Sequence, residues 1–350
     1  MTGHAQLLEA AAFNPEFAAG AHNAVANCLR VGPEEKVTLI TDEACLEIGA
    51  SLAAELSRLD IAYNAWILER LAPRPLTAMP GEVLEDMESS QVSIFAVKAQ
   101  RNELGSRMQM TDVVNRRRMR HGHMVNIEPR IMLEGMRADF EAVDRISTAV
   151  WKMASQAREI RATNPAGTDI VATFSPNLKW LKTSGIISPN KWGNLPGGET
   201  FTTPETVDGV FVVDGVVGDY LCEKYGDLKA TPLTLVIRGS RLISAESANK
   251  ELEAEFWQYC HTDENSDRAG EFAIGTNIGV GDVIGNILQD EKIPGIHVAF
   301  GNPYGAHTGA DWYSSTHIDV VGRRFDIWID GLKIMQDGAF LLDHLAPAGL

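Results

Sequence analysis

Cysteine is scarce in this 350-residue chain. Its four cysteines, Cys28, Cys45, Cys222 and Cys260, are far apart and form no CxxC pair. That spacing excludes a disulfide framework or a zinc knuckle and leaves reduced, buried thiols. Positive charge is also short, with 31 Lys and Arg against 47 Asp and Glu, a formal net charge of -16 and a pI near 5.0. Such a surface repels nucleic acid and anionic membranes alike, so neither is expected as a partner. No apolar run reaches membrane-spanning length, and Met1-Thr2-Gly3-His4 opens no basic-then-apolar leader. A cytoplasmic location is the expectation. There is no GxSxG elbow, HExxH helix or Walker loop. The glycines from Gly275 to Gly285 imitate a nucleotide loop, but after Gly279 and Gly281 the next falls one residue out of register for GxGxxG. What is present is 45% hydrophobic and 22% charged residues, the balance of a soluble globular protein with room for two domains.

The first 130 residues alternate between β-branched runs and helical periods. Lys36 to Thr41, Ile61 to Leu68 and Gln91 to Val97 read as strands; Glu43 to Leu59 and Gly81 to Ser89 read as helices. This alternation predicts an α/β N-terminal domain with a parallel sheet. No Gly-rich phosphate fingerprint follows its first strand, so a dinucleotide role is excluded. Arg116 to His123 is the one basic cluster; it reads as a solvated helix end paired with acids, the alternative being an anion clamp. Asp139 to Arg158 reads as a long amphipathic connector helix. Beyond it the texture becomes that of hairpins, with turns at Asn164-Pro165-Ala166-Gly167 and Asp330-Gly331. An α+β C-terminal metal-binding domain with antiparallel strands is therefore expected over 159–350, after an open α/β domain and connector helix over 1–158.

Chemistry-bearing residues concentrate between Gly270 and Asp319. Glu271 follows Gly270; Asp290 and Glu291 are adjacent; His297 sits in the apolar run 296–300, with Tyr304 seven residues on. His317 and Asp319, two apart in a β-type run, point to one face of a strand. Glu199 ends the turn Asn194-Leu195-Pro196-Gly197-Gly198. The glycines beside Glu199 and Glu271 would let backbone approach an ion closely. Each residue alone is an ordinary core histidine or exposed acid. Convergence of four such segments in one domain predicts a divalent metal site, of the zinc, cobalt, manganese or iron kind rather than calcium or magnesium.

These segments carry a resemblance. Asn194 to Pro204, Gly270-Glu271-x-Ala273, Asp290-Glu291, His297-Val298-Ala299-Phe300-Gly301-x-x-Tyr304 and His317-x-Asp319 resemble, in order and spacing, the signatures of the M29 metalloaminopeptidases of the aminopeptidase T type. Weaker likeness extends to 161–169 and 30–37. The resemblance implies two divalent ions (Zn, Co or Mn) held by Glu199, Glu271, His297, Tyr304, His317 and Asp319. It further implies removal of N-terminal residues from small peptides, or cleavage of another small amide, by metal-activated water, in a homodimer. Asp290, Glu291 and Tyr304 are the catalytic candidates; the first two occupy the family's Asp-Glu-Asn stretch, here followed by Lys292. An alternative on the same scaffold is a ring-cleaving dioxygenase of the 2,5-dihydroxypyridine type with one Fe(II), in which a histidine replaces the carboxylate that is Glu271 here. A metal-stabilised binding protein ranks third, because structural zinc sites are rich in cysteine.

Overall fold

The computed structural model describes residues 3–188 and 192–349. The chain forms two compact units, Met1–Glu141 with Gly185–Gly197, and Ala142–Ser184 with Gly198–Leu350. Among the described residues, no helix is long and apolar enough to cross a membrane. All four cysteines are free and buried.

The first unit is built on a five-stranded sheet whose neighbours are all parallel. Its order across the sheet is Ala62–Ile67, Lys36–Thr41, Val92–Val97, Arg120–Val125 and Trp192–Asn194. Helices Leu46–Arg58, Gly81–Glu88 and Leu104–Arg117 alternate with the strands. The 92–97 strand is buried at every position, as expected where helices cover both faces. One apolar cluster joins Ile40, Phe95 and Val97 to Val83, Met87, Met110 and Val114. The α/β expectation therefore holds, with the 104–117 helix and the 120–125 and 192–194 strands added. The basic cluster lies on the end of the 104–117 helix and on the 120–125 strand, neither of which has a clean apolar period. Its arginines pair with acids, Arg116 with Glu88 and Arg120 with Glu35. His121 and His123 lie buried on one face of the strand, Nε2 to Nδ1 at 3.1 Å, with Ser93 Oγ 2.8 Å from His121 Nδ1.

The end of the first strand carries a closed polar network. Asp42 accepts the N–H of Cys45 and of Lys98 and holds the Arg74 guanidinium at 2.6 Å. Arg74 also reaches Glu103 at 2.5 Å and Glu69 at 3.1 Å. A nucleotide-binding fold would hold its phosphates beside this point; here an internal ion pair fills it.

The second unit contains two antiparallel sheets. Eight strands run in the order Arg241–Ser247, Leu233–Arg238, Thr206–Val213, Asp169–Thr173, Glu159–Thr163, Asp326–Ile329, Leu332–Gln336 and Ala339–Phe340. The turn of the 326–336 hairpin places Asp330 at φ 45° and Gly331 at φ 84°, the left-handed pair that a two-residue hairpin needs. The other sheet has the order His317–Val321, Gly295–Gly301, Ala269–Gly275, Glu199–Thr202 and Leu181–Thr183. One face of it is apolar: Phe272, Ile274, Ile296, Val298, Phe300, Ile318 and Val320 all enter the core. Burying each side chain of this size contributes about 1.5–3 kcal/mol, so this face fixes the sheet and its register.

Candidate metal centre

Period-2 alternation sends the remaining side chains of those strands to the opposite face. The register then decides what meets there. Glu199 pairs across with Gly275, and His297 with Ala273. Ala299 stands between Glu271 on one neighbour and Asp319 on the other, while Gly301 pairs with His317. Every chemical side chain therefore has a glycine or alanine opposite it on at least one neighbouring strand, with Val321 and Thr183 on the other side of His297 and Glu199. The ladder is interrupted at Gly270, the extra residue of a bulge between Ala269 and Glu271. A Cβ on Gly270 would lie 2.1 Å from the Gly301 carbonyl oxygen, so the bulge beside Glu271 requires glycine. Gly198, at φ 133°, is packed against Asn277, whose Cβ would lie 2.6 Å from an added Cβ. In both cases the space glycine leaves is taken by a neighbouring strand or loop rather than by an ion's approach.

Two ligand groups form on this face. Glu199, Glu271 and His297 bring one ligand atom each within 4.8 Å of one another, and so do Glu271, His317 and Asp319. Glu271 belongs to both. His297 Nε2 lies 3.3 Å from Glu271 Oε1 and 3.6 Å from Glu199 Oε2. His317 Nε2 lies 3.5 Å from Asp319 Oδ1 and 3.8 Å from Glu271 Oε2. The other nitrogen of His317, Nδ1, is 3.0 Å from the Asn302 carbonyl. A carbonyl only accepts, so Nδ1 carries the proton and Nε2 is turned into the site, the orientation a metal-binding imidazole needs. Tyr304, at φ 50°, sets its ring 4.6 Å from the ring of His317. That left-handed backbone is uncommon for a bulky residue and holds the phenol over the second group.

The remaining candidates separate. Asp290 accepts the backbone N–H of Ile284, Gly285 and Asn286, and is not a member of either ligand group. Burial nonetheless pushes its carboxyl up to about 6. Glu291 faces the site, its Oε1 2.5 Å from the ammonium of Lys292, which also stands 2.7 Å from Glu199 Oε1. Lys292 is 1% exposed. Neither it nor Thr183, whose hydroxyl donates to Glu199 at 2.8 Å, stands out in sequence as a site residue. The signal for Lys292 is a cation opening the buried stretch that leads into the 295–301 strand.

The electrostatics follow from burying so many acids. Burial, with Glu199 and Asp319 nearby, pushes Glu291 up to about 8 against the pull of Lys292. Burial works against the imidazolium of His317, but Asp319 and Glu271 raise it to about 10. Burial likewise opposes the charge on Asp319, which His317 nevertheless holds down to about 2. Loss of water around its hydroxyl, with Glu271 and Asp319 nearby, drives the Tyr304 phenol well above its ordinary range, although the residue as a whole is 41% exposed. Four carboxylates, Glu199, Glu271, Glu291 and Asp319, share this space with the Lys292 ammonium and the imidazoles of His297 and His317. Buried carboxylates are costly unless cations balance them; here Lys292 and the two imidazoles do so, and a divalent ion would take the place of the imidazole protons. Imidazole and carboxylate donors in two overlapping sets fit divalent transition ions.

The description "thermophilic metalloprotease (M29)" belongs to a family that matches residues 141–323, more than half of the chain. The chain belongs to the M29 metalloprotease family. Two solved structures share its fold. AmpT from Thermus thermophilus matches with a TM-score of 0.66 at 16% identity, over 94% of this chain and 100% of its own. A 2,5-dihydroxypyridine dioxygenase from Pseudomonas putida KT2440 matches with a TM-score of 0.65 at 16% identity, over 93% of this chain and 96% of its own. No curated protein matches it in sequence. As an M29 protein the chain is of the metal-dependent peptidase class, and a divalent metal is its implied cofactor.

Proposed function

We infer that this protein is an aminopeptidase that removes N-terminal residues from small peptides at a centre of two divalent ions. The observation that carries the reading is the position of Glu271, whose two oxygens face different imidazoles, His297 and His317, in two overlapping ligand groups. One ion would be held by Glu199, Glu271 and His297, and the other by Glu271, His317 and Asp319. Zinc, cobalt and manganese suit these donors. When bound, such ions supply Lewis-acid polarisation of a carbonyl and a water of lowered pKa.

The chain's own residues do the rest. Glu291, with its raised affinity for a proton, takes one from the attacking water and returns it to the leaving amine. It is preferred to Asp290, which is committed to the backbone of 284–286. Tyr304 keeps its proton and can donate to the oxygen on which charge develops.

The test is metal content per chain, followed by hydrolysis of leucine-p-nitroanilide with added cobalt or zinc. Two ions with amide cleavage support the reading. One iron, with oxygen uptake on a dihydroxylated heteroaromatic ring, would replace it by dioxygenase chemistry.

A further inference from the structure

Glu199 differs from the other carboxylates of the metal centre. Its Oε1 already receives Lys292 Nζ at 2.7 Å and Thr183 Oγ1 at 2.8 Å, leaving Oε2 toward His297 at 3.6 Å. The ion-pair partners of Glu271 and Asp319 are imidazoles. An imidazole is itself a metal-binding group, so the side chains facing Glu271 and Asp319 add donors to a metal site. An ammonium has no such second role while it remains charged. Lys292 is anchored on its other side by Glu291 at 2.5 Å and is enclosed, so it cannot swing out to water when an ion arrives.

Resting on the metal-centre reading above, we propose that Lys292 makes the two metal positions unequal. The ion on Glu271, His317 and Asp319 is held tightly. The ion on Glu199, Glu271 and His297 shares its carboxylate with a built-in cation and is held loosely. Occupancy of that second position then follows the free metal concentration, and Lys292 keeps Glu199 neutralised while the position is empty. A purely supporting role for Lys292 predicts the reverse. Groups that support a ligand, such as a carboxylate on an imidazole N–H, raise its basicity, and their removal weakens binding by roughly 10–100-fold. A cation on a carboxylate lowers its basicity and repels the incoming ion at short range. Removing Lys292 should therefore tighten the second ion.

The experiment is equilibrium dialysis of the metal-free full-length chain against Co2+, with ions counted per chain by elemental analysis and folding checked by circular dichroism. The wild type should fill one position at a concentration at least tenfold lower than the other, an order-of-magnitude expectation for a neighbouring charge. In Lys292→Met the second ion should tighten toward the first, while Lys292→Arg, which keeps the charge, should retain the gap. One ion in the wild type and two in Lys292→Met is the limiting form of the same result. The assignment is overturned by two equal ions in the wild type, which needs no variant to fold. It is equally overturned by one ion in both proteins, by a second ion in Lys292→Met no tighter than in the wild type, or by a gap that Lys292→Arg abolishes. Binding of no ion at all would instead overturn the metal-centre reading on which it rests.

Discussion

Oε1 of Glu271 stands 3.3 Å from Nε2 of His297 across two neighbouring antiparallel strands. The other oxygen of the same carboxylate looks toward His317, so this side chain joins the two ligand groups. Glu271→Ala should therefore deplete both positions, whereas Glu199→Gln should deplete one. Metal counting per chain reads the difference, and far-ultraviolet circular dichroism should show the first unit still folded. Unchanged occupancy in Glu271→Ala would remove it from the ligand set.

Chelation should abolish peptide cleavage, and zinc, cobalt or manganese should restore it. Because a bound ion favours the folded state by mass action, at a metal concentration about 100 times Kd it contributes about 2.7 kcal/mol. For a unit of this size that corresponds to a fall in Tm of roughly 5–10 °C on chelation. Differential scanning calorimetry with and without a chelator measures it, and a Tm indifferent to the chelator would count against a metal in the second unit.

Tyr304 lies against His317 but is placed by a loop rather than by the sheet. If its phenol donates a proton to developing charge, Tyr304→Phe should lower kcat by about 100–1,000-fold with metal content unchanged. Loss of metal with kcat per bound ion intact would assign the phenol to ligation instead.

Acid should destabilise the first unit through its buried acids. Burial opposes the charge on Glu103, but Arg74 and the N–H groups of Leu76 and Gln100 outweigh it and hold the carboxyl below its usual range. Asp86 is depressed in the same way against burial, by Lys36, Asn64, Trp66 and Thr38. A depressed folded pKa stabilises above the unfolded value, and that stability is lost as pH falls through the folded value. Urea midpoints should be level above about pH 5 and drop below about pH 4. Arg74→Met, which strands Asp42 and Glu103 without their cation, should destabilise at pH 7 by about 3–5 kcal/mol. A midpoint unchanged between pH 5 and pH 3 would show that these pairs do not govern acid unfolding.

Much of this arrangement is legible in the sequence because both halves of each strand's alternation are written there. In 269–275 and 295–301 the apolar residues mark one face, and Glu271-x-Ala273-x-Gly275 and His297-x-Ala299-x-Gly301 mark the other. The parallel sheet is equally plain in its β-branched runs. The 104–117 helix and the 120–125 strand are not, since arginines and buried histidines stand where apolar residues would announce them. Lys292 stands in the sequence where the family stretch has asparagine, yet nothing there marks it as part of the site. A lone lysine reads as surface, and only the fold places its ammonium between Glu199 and Glu291. The choice between Asp290 and Glu291 is likewise invisible in two adjacent acids. It becomes visible when one is seen capping three backbone amides and the other bound to Lys292 beside Glu199.

The register that gathers these side chains also limits how the protein can change. Shifting either the 269–275 or the 295–301 strand by one residue would turn its acids and imidazoles into the hydrophobic core and expose Phe272 or Phe300 in their place. Single-residue insertions and deletions are thus barred from the strands on both counts, stability and chemistry. Divergence is channelled into the connecting loops, such as 276–286 and 305–316, where length can vary without moving a ligand. New specificities in proteins of this build should therefore arise by loop exchange over an unaltered floor.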